Sequence, residues 1–68
     1  MDKAFFENKL GKTANITYKE VDGNSFAVGV IRSVSIKCVG LNTKKGEVLI
    51  SYDSMVAVQI SNGGESSS

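Results

Sequence analysis

One stretch of the chain, residues 26–36, restricts the fold more than any other. It is apolar, rich in β-branched residues and free of proline, and it contains a single glycine, Gly29. Five of its large side chains share one parity of position and four small residues share the other, which is typical of a long β-strand. A glycine inside such a strand indicates a bend or a close backbone approach. The sequence therefore predicts a long, bent strand in a tightly curled sheet, with its large residues at Phe26, Val28, Val30, Val34 and Ile36.

A short helix is predicted before the first strand, over residues 2–10. Asp2 can cap its N-terminus, and Gly11 stands where a helix-terminating glycine belongs. A helix of this length is unstable alone, so its apolar side chains must pack on the sheet. We expect Phe5, Phe6 and Leu10 to form a lid over one end of the fold.

Four more segments read as strands, and short links join all of them. Residues 12–20 alternate, with Ala14, Ile16 and Tyr18 on one face, and Asp22-Gly23 is a strong hairpin signal. The predicted fold is mostly β, a short helix followed by a strongly bent five-stranded antiparallel sheet closed into a small barrel. Residues 1–60 form this domain, and the polar residues 61–68 are predicted to be disordered. The remaining strands are predicted at 37–41, 47–52 and 55–60.

Size and composition favour self-association and argue against catalysis. A chain of 68 residues buries only about 60% of its unfolded surface, so its core is marginal without further support. One cysteine, Cys38, excludes an internal disulfide, and the absence of histidine removes the commonest general base and metal ligand. We expect no enzyme, no cofactor and no metal site. The lone cysteine, the lack of an export signal and the lack of a long apolar run predict a cytoplasmic protein with no membrane segment.

Two segments carry glycines and turns at a spacing shared with a known family. The first is Asp22-Gly23 followed by the strand 29–34, of the form Gly-x-φ-x-x-φ. The second, residues 50–58, is a strand, the dipeptide Tyr52-Asp53 and a short closing strand. In this pattern the chain resembles the Sm-like family, which includes bacterial Hfq, over roughly residues 2–60. The resemblance implies a small barrel of the SH3-like or Sm-like type.

The resemblance also implies a ring. Sm-like proteins assemble when the fourth strand of one protomer pairs with the fifth strand of its neighbour. Both segments here are apolar and free of proline, so an unpaired edge would be prone to aggregation. A head-to-tail contact of this kind closes into a ring, which we expect to hold about five to seven subunits. The implied interface residues are Val48, Ile50, Met55, Val56 and Val58.

The inner rim of such a ring would be lined by Ser35, Lys37, Tyr52 and Asp53. Tyr52 is expected to stack on a base of single-stranded RNA and Lys37 to contact a phosphate. The chain departs from the family here, since Sm proteins have Arg-Gly and Hfq has Lys-His in place of Tyr52-Asp53. The alternative is that Tyr52 is packing at an interface and Asp53 caps the turn.

Four further cations are candidate phosphate contacts: Lys3, Lys9, Lys12 and Arg32. The alternative for the three lysines is a solvated face in which they alternate with acidic residues. Arg32 can instead snorkel or pair with an acid across the interface. Lys44-Lys45 is interpreted as a solvated turn, and Cys38 as a small core residue.

The sequence thus predicts a homo-oligomeric Sm-like ring that binds single-stranded RNA. Two alternatives stay open: a protein-assembly adaptor of the same fold without RNA, and a monomeric SH3-like module that binds a peptide. No small-molecule substrate is evident. A peptide module needs an exposed aromatic groove, and the chain offers two tyrosines and no tryptophan for it.

Overall fold

The computed structural model describes residues 3–61 and contains one helical turn and five strands. The 3-10 turn Tyr52–Ser54 separates the last two strands. No helix in this part of the chain is long and apolar enough to cross a membrane. Ser61, predicted from the sequence to begin the disordered segment, belongs to the last strand, and residues 62–68 lie outside the described residues. The elements are α1 (Lys3–Phe6), β1 (Thr13–Glu20), β2 (Gly23–Val34), β3 (Cys38–Thr43), β4 (Gly46–Ser51) and β5 (Met55–Ser61).

The strands form one antiparallel sheet in the order β4-β3-β2-β1-β5. The mostly β fold with a short helix and five strands is therefore confirmed. β1 and β2 make the hairpin that the Asp-Gly signal predicted, with Val21-Asp22 as its loop and Gly23 already paired with Glu20. Gly23 has a φ of +136°, a conformation that glycine adopts without steric cost.

The predicted closure into a barrel is wrong. Within residues 3–61, β4 pairs with β3 alone and β5 pairs with β1 alone, so the sheet keeps two outer edges. The sheet is nevertheless strongly bent, because the three-residue turn Tyr52–Ser54 joins strands at its opposite edges. That turn can bridge at most about 14 Å of fully extended chain. The two edges thus approach at one end, but they form no hydrogen-bonded ladder.

Gly29 is the point of close backbone approach that the sequence predicted. A Cβ placed there would lie 2.6 Å from the carbonyl oxygen of Asn42 on β3. A register shift between Ile31 and Ser33 follows, with Arg32 as the unpaired residue. The bulge adds to the bend and reverses which face the later residues present.

Before the bulge at Arg32, the buried face of β2 is the one that carries Ala27, Gly29 and Ile31. Gly29 and Ile31 are buried, whereas Phe26 is 69% exposed and Val28 is also exposed. Ile36, predicted to end this strand, lies exposed in the turn after it. The close contact with β3 explains the choice of face, since only a residue without a side chain fits against Asn42. The core residues are Phe6, Ala14, Ile16, Ile31, Val39, Leu41, Ile50 and Tyr52.

The helix is shorter than predicted and ends at Phe6 rather than near Leu10. Beyond Phe6 the backbone bonds to β2: the amide of Gly11 donates to the Ile31 carbonyl, and the Ile31 amide donates to the Lys12 carbonyl, each at 2.9 Å. These bonds hold the segment beside the sheet, so it cannot continue as a helix. Phe6 is fully buried as predicted, but Leu10 is 55% exposed and does not join the lid.

Candidate functional site

The turn between β2 and β3 is fastened to the 3-10 turn, so the four predicted rim residues lie together. The Tyr52 hydroxyl donates to the Ser35 carbonyl, and the Tyr52 amide donates to the Lys37 carbonyl at 3.1 Å. Ser35 closes its own turn through a bond from its amide to the Cys38 carbonyl at 2.9 Å. Residues seventeen positions apart in sequence are thereby held at one end of the sheet.

Tyr52 belongs to the core in this arrangement. Its side chain is only 7% exposed, and its ring stacks on Phe6 with centroids 5.7 Å apart and planes 16° from parallel. Stacking on an RNA base would require the ring to leave this contact. Base stacking by Tyr52 stays a prediction, and its burial favours the packing alternative.

Asp53 and Lys37 are exposed at the same end of the sheet. The Asp53 amide donates to the Ser51 hydroxyl at 3.3 Å, so the cap of the 3-10 turn is Ser51 rather than the Asp53 carboxylate. Both charges are therefore presented to solvent. Lys37 is the rim residue whose chemistry suits a phosphate, while Asp53 adds an opposing charge beside it.

The predicted phosphate contacts form two groups. Lys3 forms an ion pair with Glu7 at 3.4 Å, and the Lys9 ammonium lies 4.7 Å from the centre of the Phe5 ring. Both therefore already have an intramolecular partner. The Lys12 carbonyl accepts a hydrogen bond from the Ile31 amide, which brings Lys12 close to Arg32, the residue after Ile31. Arg32 is the exposed residue at the β2 bulge.

The predicted interface residues lie on the two outer strands and differ in burial. Ile50 is 3% exposed and belongs to the core of the single chain, so its side chain is not available to a neighbour. Val48, Met55 and Val58 are half-buried, and Val56 is 52% exposed. Leu49, not singled out from the sequence, is 65% exposed on β4. Both outer strands thus expose an apolar side chain.

A groove at the other end of the sheet was missed by the sequence reasoning. It has a volume of about 520 Å³ and is formed by β1, β2, β3, β4 and the turn between β3 and β4. The sequence signal for it was the two large residues Phe26 and Val28 on β2 together with the Lys44-Lys45 turn. Nothing in the sequence placed the two segments side by side. The lining residues used below are Tyr18, Phe26, Val28, Lys44, Lys45 and Val48.

Comparisons with protein-family models, with curated proteins and with solved structures found no match to this chain. Membership of the Sm-like family therefore remains a prediction from the pattern of glycines and turns. The fold and the candidate sites rest on the chain's own residues.

Proposed function

We propose that this protein is the subunit of a homo-oligomeric, Sm-like ring that binds single-stranded RNA. The observation that carries the proposal is the open sheet. Its two outer strands, β4 and β5, have no partner along their outer edges within residues 3–61. They are six and seven residues long, so one can pair with the other along nearly its whole length.

Pairing of β4 with β5 between subunits would satisfy the unpaired backbone groups of both edges and cover their exposed apolar side chains. An exposed edge presents unpaired amides and carbonyls to any other chain, and neither strand contains the proline that would block such pairing. Val56 and Leu49 are largely exposed on these strands in the single chain. Because the two edges differ, the contact is head-to-tail, and a head-to-tail contact that closes makes a ring. The proposed ring holds about five to seven copies.

RNA binding rests on the position of Lys37. Its turn is tied to the turn between β4 and β5, so a ring joined through those strands repeats Lys37 once per subunit near the subunit contacts. Repeated cations give a single strand several phosphate contacts, although the net charge of one chain is only +1. We propose Lys37 as the main rim contact and Arg32 with Lys12 as the outer one.

Native mass by light scattering after size exclusion tests the ring. We expect a mass of about five or more protomers for the wild type, and a clear decrease for Val56→Lys, which places a charge on the outer edge of β5. Val21→Lys is the matched control, because Val21 is fully exposed at the tip of the β1–β2 hairpin. A monomeric wild type would overturn the ring, and an unchanged Val56→Lys ring would overturn the β4–β5 contact.

Titration with oligo-A and oligo-U at two salt concentrations tests the RNA. We expect affinity to fall with salt, with a slope of about 0.7 per phosphate contact, and to weaken in Lys37→Ala. Lys19→Ala is the control, since Lys19 is exposed on β1 away from the rim. An affinity that changes neither with salt concentration nor in Lys37→Ala would contradict the rim site.

The adaptor of the same fold without RNA is the alternative function, and the burial of Tyr52 favours it. In that case the ring forms, neither oligonucleotide binds, and a protein co-purifies instead. The two functions are therefore separated by the same pair of measurements.

A further inference from the structure

We propose that the groove between Phe26 and the Lys44-Lys45 turn is a docking site for a short acidic and aliphatic peptide segment of a partner protein. This surface lies apart from the rim turns, shares only Val48 with the predicted subunit interface, and goes beyond the proposed ring. Its wall is built from residues on four strands and one turn, so it exists only in the folded chain.

The groove has the size and lining of a ligand site. Its volume of about 520 Å³ lies within the range of about 300–1,000 Å³ that is usual for such sites. Tyr18 and Val48 are half-buried in it, while Phe26 and Val28 remain exposed along its edge. An aliphatic side chain of a ligand would cover this apolar surface and remove it from water.

The charge at one end of the groove selects an anionic group. Lys44 and Lys45 are exposed and line it, and no acidic side chain of the described residues does so. The ion pair found within residues 3–61 joins Lys3 to Glu7, so neither groove lysine has an acidic partner there. A carboxylate of the ligand would supply that partner.

Acidic residues beyond the groove disfavour a polyanion. Glu20 lies two residues beyond Tyr18 on the same face of β1, which is a distance of about 7 Å along a strand. Its carboxylate accepts from the Ser25 hydroxyl at 2.6 Å, and Asp22 follows it at the hairpin tip. Nucleic acid needs cations that follow its backbone, whereas the cations of this groove are the two lysines of one turn, and the acidic residues Glu20 and Asp22 lie beyond its lining. A peptide with a carboxylate for the lysines and an aliphatic side chain for the apolar wall fits this lining.

Selection of random twelve-residue peptides displayed on phage, against the purified full chain, tests the proposal. We expect the enriched peptides to place Asp or Glu next to Leu, Ile, Val or Met. A synthetic peptide of the enriched sequence is then titrated by fluorescence anisotropy. Lys44→Glu/Lys45→Glu should weaken its binding by about 30-fold, because two attractions become repulsions. Phe26→Ala should also weaken it, without changing the far-ultraviolet circular dichroism.

Two matched variants control for charge and for apolar surface. Lys19→Glu reverses an exposed lysine outside the groove, and Ile36→Ala shortens an exposed apolar side chain in the β2–β3 turn. Both should bind the peptide as the wild type does. The proposal is overturned if no acidic and aliphatic sequence is enriched, or if Lys19→Glu weakens binding as much as the groove variant. Loss of oligonucleotide binding in the groove variants, with no effect on the peptide, would assign the groove to nucleic acid instead.

Discussion

Replacing Gly29 by alanine should destabilise the fold, because the added methyl group meets backbone rather than a movable side chain. Its Cβ would lie 2.6 Å from the Asn42 carbonyl oxygen and 2.9 Å from the Asn42 carbonyl carbon. Asn42 is held in the ladder opposite Val30, so β3 can yield only by straining its pairing with β2. Overpacking of this kind costs about 1–3 kcal/mol.

A smaller effect of the opposite sign accompanies the substitution. Alanine restricts the unfolded chain more than glycine does, which stabilises the folded state by about 0.4–1 kcal/mol where no strain arises. The expected net loss for Gly29→Ala is therefore about 1–2 kcal/mol of unfolding free energy. With a urea slope of about 1 kcal/mol/M for a chain of this size, the midpoint should fall by about 1–2 M.

Gly40→Ala is the matched control for this measurement. Its Cβ would meet the Ser33 hydroxyl at 2.5 Å and the ends of the Leu49 and Glu47 side chains, all of which can rotate away. We expect a change of about 0.5 kcal/mol or less. Urea unfolding should be followed by circular dichroism at one protein concentration, since association would raise the apparent stability. A Gly29→Ala midpoint equal to the wild type, or a Gly40→Ala loss as large as that of Gly29→Ala, would refute the close approach.

Three further substitutions test other contacts by the same unfolding assay. Tyr52→Phe should cost about 1 kcal/mol, because the Ser35 carbonyl loses its hydroxyl donor while the stacked ring is retained; no change would contradict this bond. Phe6→Ala should cost about 3–5 kcal/mol of unfolding free energy, enough to unfold much of a chain this small. If the variant unfolds cooperatively at the same midpoint as the wild type, Phe6 does not have this role in the core. Gly46→Ala should cost about 1 kcal/mol although nothing lies within 4 Å of its Cβ, since the cost comes from the φ of +120° alone.

The strands were predictable because their pattern is local. Alternation placed β1 within one residue of its observed start, and the Asp-Gly pair located the hairpin. The close backbone approach at Gly29 was predictable for the same reason, since a glycine inside an apolar strand often marks such an approach. These features depend on neighbours in sequence and on backbone sterics.

The features that were missed depend on distant partners. The helix ends early because the backbone of Gly11 and Lys12 bonds to Ile31, which no local propensity reveals. The buried face of β2 is set by its contact with Asn42 and by the bulge at Arg32, and the alternation alone is the same for either face. Closure depends on hydrogen bonds between β4 and β5, and apolar character in both strands cannot tell an internal pair from one between subunits.

The candidate sites show the same division. Ser35, Lys37, Tyr52 and Asp53 do lie together, but the burial of the Tyr52 ring on Phe6 could not be derived from the spacing of the motif. The groove needed knowledge of which turn lies beside Phe26. Sequence reasoning located turns and strands well, and it could not place side chains that meet only through the tertiary fold.

The pairing of β5 with β1 sets the order in which this sheet can be completed during synthesis. The other three ladders join strands that follow one another in the chain. The β1–β5 ladder instead pairs Thr13 with Ser61, so it forms only after β5 has been synthesised. Closing so long a loop is the slow, entropically costly step of folding. Until β5 emerges from the ribosome, one edge of β1 has no hydrogen-bonding partner. The β5 segment of a second nascent chain has the same sequence and can pair with that edge. Exchange of β5 between two chains is therefore the characteristic folding error of this topology.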